Sequence, residues 1–356
     1  MKPHFTTFFL FFLFVFPFSA YAQDSIRFDE SGLESVMQRA KVEKKPIFYM
    51  AYADWCPHCK NIKATTLKDP EVVSFMNANY VFAGLNFEKP GSEDFKTKYN
   101  VKTFPTFLVL DENGQELARF TGELKKDKFL SEVKLALNPK QQLPYLKAEY
   151  EKDKTNGLNL MRYLVALKKG KDRNELNPIA HEYFEKLTDD KIVNEVNWKI
   201  FTNGVSDIAS REYQFVITNQ QAFAAITSQK RVNDKFKNSV MELLKPIVKT
   251  NDIINYKKQR AIAKTINSPM IDSLLFQYDL DHYEFNSNWN EYKKVAAAHI
   301  KKYVWNSPKE IKSIVLNVMR NSTDAASLNQ SLSWIKHSNE LEESYDGIVL
   351  EARVHR

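Results

Sequence analysis

Two cysteines, Cys56 and Cys59, are all that this 356-residue chain contains, and they stand three positions apart. A disulfide framework would take several pairs. The core must therefore come from apolar packing, and the pair is left free for chemistry. An apolar run, Ile47-Phe48-Tyr49-Met50-Ala51, leads into Tyr52-Ala53-Asp54-Trp55-Cys56-Pro57-His58-Cys59-Lys60. The run reads as a buried strand. Pro57 suits the first turn of a helix, where its missing N–H costs nothing. The pair thus closes a strand and opens a helix.

The flanking sequence predicts a compact order of elements. Leu33, Val36, Met37 and Ala40 recur at helical spacing, with Ser31 as a candidate N-cap, and Lys44-Lys45-Pro46 stops that helix. After the strand at 47–53 and the helix at the pair, Asp69-Pro70 caps a helix carrying Val72, Val73 and Met76 inward. A strand follows at 80–87 and a short helix at 94–99. Val101-Lys102-Thr103-Phe104-Pro105-Thr106 then precedes a strand at 107–110. Asp111-Glu112-Asn113-Gly114 is a hairpin turn, 116–120 the returning strand, Gly122 its end, and 127–137 a closing helix. This order gives a small mixed sheet with helices on both faces.

Residues 1–22 read as a secretory signal peptide. Lys2 is followed by an apolar run from Phe8 to Phe18 and by Ala20-Tyr21-Ala22. The run is short for a membrane span and contains Pro17. No later stretch is apolar enough to cross a bilayer, so no span is expected after cleavage. The formal net charge is +7, with Lys scattered among Asp and Glu, which argues against nucleic acid as a partner.

A thiol attacks only when ionised. Three features favour the thiolate of Cys56: a helix N-terminus with unsatisfied N–H groups, Cys59 one turn on as a hydrogen-bond donor, and His58 as a group able to carry positive charge. Cys56 is then the nucleophile, Cys59 the resolving thiol, and His58 the group that tunes the pair. A mixed disulfide with a substrate forms on Cys56 and is resolved by Cys59.

On Trp55-Cys56-Pro57-His58-Cys59-Lys60, Pro105-Thr106 and Asn113-Gly114, the chain resembles the thioredoxin family over roughly residues 30–137. Tyr52-Ala53-Asp54-Trp55-Cys56 is similar to the exported domains of DsbD-type reductases. The resemblance implies an α/β thioredoxin fold over 23–138, a redox-active Cys56–Cys59 disulfide, and a bacterial periplasmic location. It also implies a cis Pro105, with Phe104 offering backbone to a substrate peptide and Trp55 on the docking surface. Two departures stand out. Met50 occupies the position of the family's buried Asp, and Gly84 that of its Lys partner. Pro57-His58 resembles the oxidase DsbA, yet the span from Cys59 to Pro105 leaves no room for that protein's inserted helical domain. The direction of electron flow stays open.

Around Asn138-Pro139-Lys140-Gln141-Gln142-Leu143-Pro144 the composition shifts toward a linker, and 145–356 reads as an all-α domain, irregular and helical-repeat-like. Leu160, Met161, Leu164, Val165 and Leu167 form one expected apolar face. Asn177-Pro178 is expected to open a helix, and Ser307-Pro308-Lys309-Glu310 to form a capping box before Ile311, Ile314, Val315 and Val318. Trp198, Trp289, Trp305 and Trp334 share no common spacing, so no regular repeat emerges.

No metal or cofactor is expected at the pair. Structural zinc takes four ligands, and His181, His282, His299 and His337 lie far off in sequence. Asp279, Asp281, His282 and Glu284 read as a solvated loop between helices, and His299 as an interfacial structural residue. The expected partners are protein substrates with thiols or disulfides and a redox partner that recycles the pair. The helical domain would select or orient a partner. The rival reading is a weakly catalytic docking module on a helical scaffold.

Overall fold

The computed structural model describes residues 26, 28–170 and 173–355. The expected signal peptide, residues 1–22, lies outside them. The chain divides into two compact units that meet in sequence between Lys152 and Asp153.

The first unit runs in the order α1 (Leu33–Glu43), β1 (Ile47–Tyr52), α2 (Pro57–Ala64), α3 (Pro70–Asn79), β2 (Val81–Asn86), α4 (Ser92–Tyr99), β3 (Thr106–Leu110), β4 (Glu116–Thr121), α5 (Lys126–Ala136) and α6 (Leu143–Lys152). The four strands form one sheet in the order β2-β1-β3-β4. β1 pairs parallel with β2 and antiparallel with β3, and β3 pairs antiparallel with β4. The expected mixed sheet with helices on both faces is present. β1 is central and buried at every position, so its alternating side chains feed two cores. Phe48, Met50 and Tyr52 face one core, with Cys56, Cys59, Ile62, Phe107 and Phe129. Ile47, Tyr49 and Ala51 face the other, with Val36, Phe95 and Leu108.

Local chemistry explains where these elements start and stop. Asp69 caps α3 by accepting the Glu71 and Val72 N–H groups at 3.0 and 3.3 Å. Asp111 accepts the Asn113 and Gln115 N–H groups in the β3–β4 turn, where Gly114 sits at φ +79°. The N-cap of α1 is Gly32 rather than Ser31, and it makes no side-chain cap.

The second unit carries twelve α-helices among the described residues, from Gly157–Leu167 to Tyr345–Val354. Helices adjacent in sequence account for most of its packing. In Pro308–Arg320 the buried stripe is Ile311, Ile314, Val315 and Val318, as the spacing predicts.

The structure differs from four local expectations. The buried face of Gly157–Leu167 is Leu160, Tyr163, Leu164 and Leu167, while Val165 is 41% exposed. Pro178 lies inside the helix Arg173–Phe184 instead of opening it. Asn177 beside it accepts the Ser206 N–H at 2.6 Å, a contact that no local pattern announces. Ser307 precedes its helix without a side-chain cap, so the capping box does not form. Asp279, Asp281, His282 and Glu284 lie within the helix Pro269–Phe285, not in a loop, and Asp279 and His282 are buried. Arg260 and Tyr256 bind Asp279, so Asp279 and His282 belong to the packing between helices, while Asp281 and Glu284 stay exposed.

Candidate active site

Cys56 is the N-cap of α2, the position where backbone N–H groups lack partners within the helix. Its sulfur fills that role: the Cys59 N–H donates to Cys56 Sγ at 3.4 Å. The Cys56 thiol in turn lies 3.5 Å from the Phe104 carbonyl oxygen, to which it donates. The next peptide bond, Phe104–Pro105, is cis. The site thus joins the start of α2 to the chain entering β3, 48 residues further on. Both cysteines are free thiols and buried, Cys59 more deeply. Burial, then the hydrogen bond with Cys56, push the Cys59 thiol above its ordinary value.

The rim is aromatic. Trp55 is 65% exposed and meets the half-buried Phe104 edge-on, with ring centroids 6.1 Å apart. Phe87 packs on the other side of Phe104 at 5.1 Å. On the opposite flank His58 is exposed, and its Nδ1 lies 2.9 Å from Glu123 Oε2. Asn61 donates to the other oxygen of Glu123. These two contacts hold the Glu123 carboxyl below its usual range, with the His58 hydrogen bond the larger cause. Asp54 is exposed and accepts from Asn86 Nδ2 at 2.7 Å.

Beneath the pair, Met50 and Gly84 sit opposite each other in the β1–β2 register. Neither carries charge. A Cβ at Gly84 would meet Phe28 Cβ at 3.1 Å, so Phe28 packs closely over this backbone position. Charge enters from elsewhere. The Lys63 ammonium lies 3.1 Å from the centroid of the Tyr52 ring. Tyr52 Oη donates to Glu30 Oε1 at 2.5 Å, and Lys89 Nζ lies 2.6 Å from Glu30 Oε2.

The fold therefore gathers Cys56, Cys59, Phe104, Pro105 and Trp55 at one spot and leaves His58 on its rim. Sequence reasoning missed Glu123, Asn61 and the Glu30–Tyr52–Lys63 group. Lys63 had a usable signal, since it follows Cys59 by four residues on one helix. Glu123 had none. Among the described residues no group of three or more His, Cys, Asp or Glu is arranged to hold a metal ion, and no helix is long and apolar enough to cross a membrane.

A four-stranded mixed sheet with paired cysteines at a helix start and a cis-proline beside them defines a class. Residues 33–137 match the family model of the thioredoxin-like domain, and this part of the chain folds as a thioredoxin-like domain. Its curated relatives include the thiol:disulfide interchange protein DsbD of Campylobacter jejuni strain RM1221. That protein is 28% identical over 104 residues, covering 29% of this chain and 18% of the relative. DsbD of Escherichia coli O6:H1 is 30% identical over 122 residues, covering 33% of this chain and 21% of the relative. The chain thus spans about a fifth of the length of the curated relatives it matches. Among solved structures, a putative disulphide-isomerase from Bacteroides thetaiotaomicron aligns at 30% identity and a TM-score of 0.31. The alignment covers 32% of this chain and 95% of that one.

Proposed function

We propose that this protein is an exported thiol–disulfide oxidoreductase that exchanges disulfides with protein substrates through Cys56 and Cys59. The observation that carries the reading is the seat of Cys56. Its sulfur caps α2, touches the Cys59 N–H, and stands against the Phe104 carbonyl beside the cis-proline. That seat presents the sulfur next to backbone that an extended substrate peptide can pair with.

The chemistry balances within the pair. The Cys56 thiolate attacks one sulfur of a substrate disulfide, the substrate S–S bond breaks, and the other substrate sulfur leaves as a thiolate that takes up a proton. Cys59 then loses its proton and attacks Cys56 Sγ. The mixed disulfide breaks, and two electrons have passed from the pair to the substrate. The reverse sequence oxidises a substrate dithiol. A partner protein bearing a dithiol or a disulfide recycles the pair, and no cofactor enters. His58 tunes the balance between the two forms, and Trp55 with Phe104 docks the substrate. Residues 1–22, read as a signal peptide, imply export, and the likeness to bacterial DsbD domains supports the periplasm as its place. We divide the chain into a redox domain over 23–138 and a helical domain over 145–356 that selects or orients the partner.

A second reading is favoured by one observation. Uncharged Met50 and Gly84 lie face to face under the pair, which suits a docking module with little turnover. Insulin reduction by the full mature chain separates the two. The oxidoreductase reading expects turnover in wild type and none in Cys56→Ser. Equal behaviour of the two proteins overturns it.

A further inference from the structure

Cys59 has a chemical problem that its surroundings must solve. It is 1% exposed, and its neighbours in the core include Met50, Ala53 and Ile62, none of which can hold an anion. Yet a resolving cysteine attacks only as a thiolate. The charged and titratable groups around it come from four places. Cys56 disfavours a second anion, and Lys63 favours one. Asp54 follows β1, Glu30 precedes α1, and Lys89 follows β2 and is tied to Glu30. Of these groups, only Lys63 shares a helix face with Cys59 and carries a positive charge.

Lys63 lies four residues after Cys59 on α2, so their Cβ atoms are about 5–6 Å apart. The side chain is half-buried and runs inward instead of out to water. Its ammonium rests on the Tyr52 ring, and Tyr52 belongs to the same core cluster as Cys59. The Tyr52 hydroxyl donates to Glu30, which fixes the ring under the cation.

We propose that Lys63 is a positioning residue for the resolving step, holding its ammonium beside Cys59 so that the Cys59 thiolate can form and attack the mixed disulfide on Cys56. The inference rests on the oxidoreductase reading and adds to it the group that makes resolution possible. Burial pulls the Lys63 ammonium below its ordinary value, while Cys59, Asp54 and Glu30 oppose that shift. In the step itself, Cys59 releases its proton to solvent and its sulfur forms a bond to Cys56 Sγ. The bond from Cys56 to the substrate breaks, and the departing substrate thiolate is protonated.

The test uses the full mature chain in two backgrounds. In Cys56→Ser, Cys59 is the sole thiol, and its alkylation by iodoacetamide at fixed neutral pH reports its thiolate fraction. Adding Lys63→Met, which keeps the stem and removes the charge, should slow alkylation about tenfold, the effect of losing an opposite charge at this range. Lys63→Arg should restore most of the rate. In the background with both cysteines, Lys63→Met should slow decay of a preformed Cys56 mixed disulfide by a similar factor, while the first attack by Cys56 changes by less than about twofold. Unchanged Cys59 alkylation in Lys63→Met, or an equal loss in Lys63→Arg, overturns the proposal. These readouts need no turnover. An insulin assay in which wild type and Cys56→Ser behave alike would sink the oxidoreductase reading instead.

Discussion

Glu123 Oε2 lies 2.9 Å from Nδ1 of His58, joining the redox dipeptide to a residue 65 positions away. The loop after β4 thus reaches over the start of α2 and fixes an imidazole that would otherwise swing in solvent. Asn61 holds the second carboxylate oxygen, so the tie has two anchors on one helix.

That tie predicts a pH dependence with a definite sign. The Glu123 carboxyl is held below its usual range, by His58 first and Asn61 second. A carboxyl depressed by folding contributes fully above its unfolded value and loses that contribution as pH falls through the folded one. The tie is therefore complete at neutral pH and opens in acid. In His58→Pro the Glu123 carboxyl should titrate at higher pH than in wild type, read by carbon NMR of the carboxyl. The same variant should make the pair more reducing by about 30 mV or more against glutathione. An unchanged potential would show that His58 does not tune the pair.

Removing the resolving thiol should freeze the exchange halfway. With Cys59→Ala, the bond from Cys56 to a substrate sulfur has no internal thiol to break it. Mixed disulfides should accumulate in the exporting cell and vanish on non-reducing gels when Cys56→Ser is added. A lysate with no adduct in the single variant would speak against Cys56 as nucleophile.

The sheet depends on one aromatic side chain. Phe48 is fully buried, stacks on Phe107 at 5.4 Å, and meets Tyr80, Phe82, Phe120 and Phe129 within 6.4 Å. Phe48→Ala should cost about 3–5 kcal/mol, the range for truncating a buried Phe. The urea transition of the first unit is the measurement. A shift worth less than about 1 kcal/mol would mean that the five surrounding rings close the gap.

In the second unit the sensitive pair is Arg260 and Asp279. The guanidinium meets both carboxylate oxygens at 2.6 and 2.7 Å, and Tyr256 Oη donates to one of them at 2.9 Å. Arg260→Met strands a buried carboxylate and should destabilise the helical unit by about 2–3 kcal/mol. That is below the range of about 3–5 kcal/mol for a fully buried pair, because the Arg260 side chain is 34% exposed. Adding Asp279→Leu should recover part of the loss in helical CD melts, since it removes the stranded charge and leaves only the Tyr256 hydroxyl without its acceptor.

Much of the first unit could be read directly from the chain because its signals are short-range. The buried run before Cys56, Pro57 in the first helical turn, Asp69 before Pro70, and the Asp111–Gly114 turn each act within a few residues. The same short range explains the misreadings in the helical unit. Pro178 looks like a helix start, yet the helix Arg173–Phe184 runs through it. Asp279 and His282 look solvated until Arg260 and Tyr256, brought in from another helix, bury them.

By itself the sequence determined the order of strands and helices, the one free cysteine pair, and its place at a helix start, because backbone and side-chain preferences act locally. Only the tertiary structure decided what surrounds that pair. The strand order β2-β1-β3-β4 brings Phe104 to Cys56, Glu123 to His58, and Glu30 to the Tyr52 on which Lys63 rests. Those contacts span tens of residues, and the free energy that makes them comes from burying the whole sheet, which no short stretch of sequence encodes.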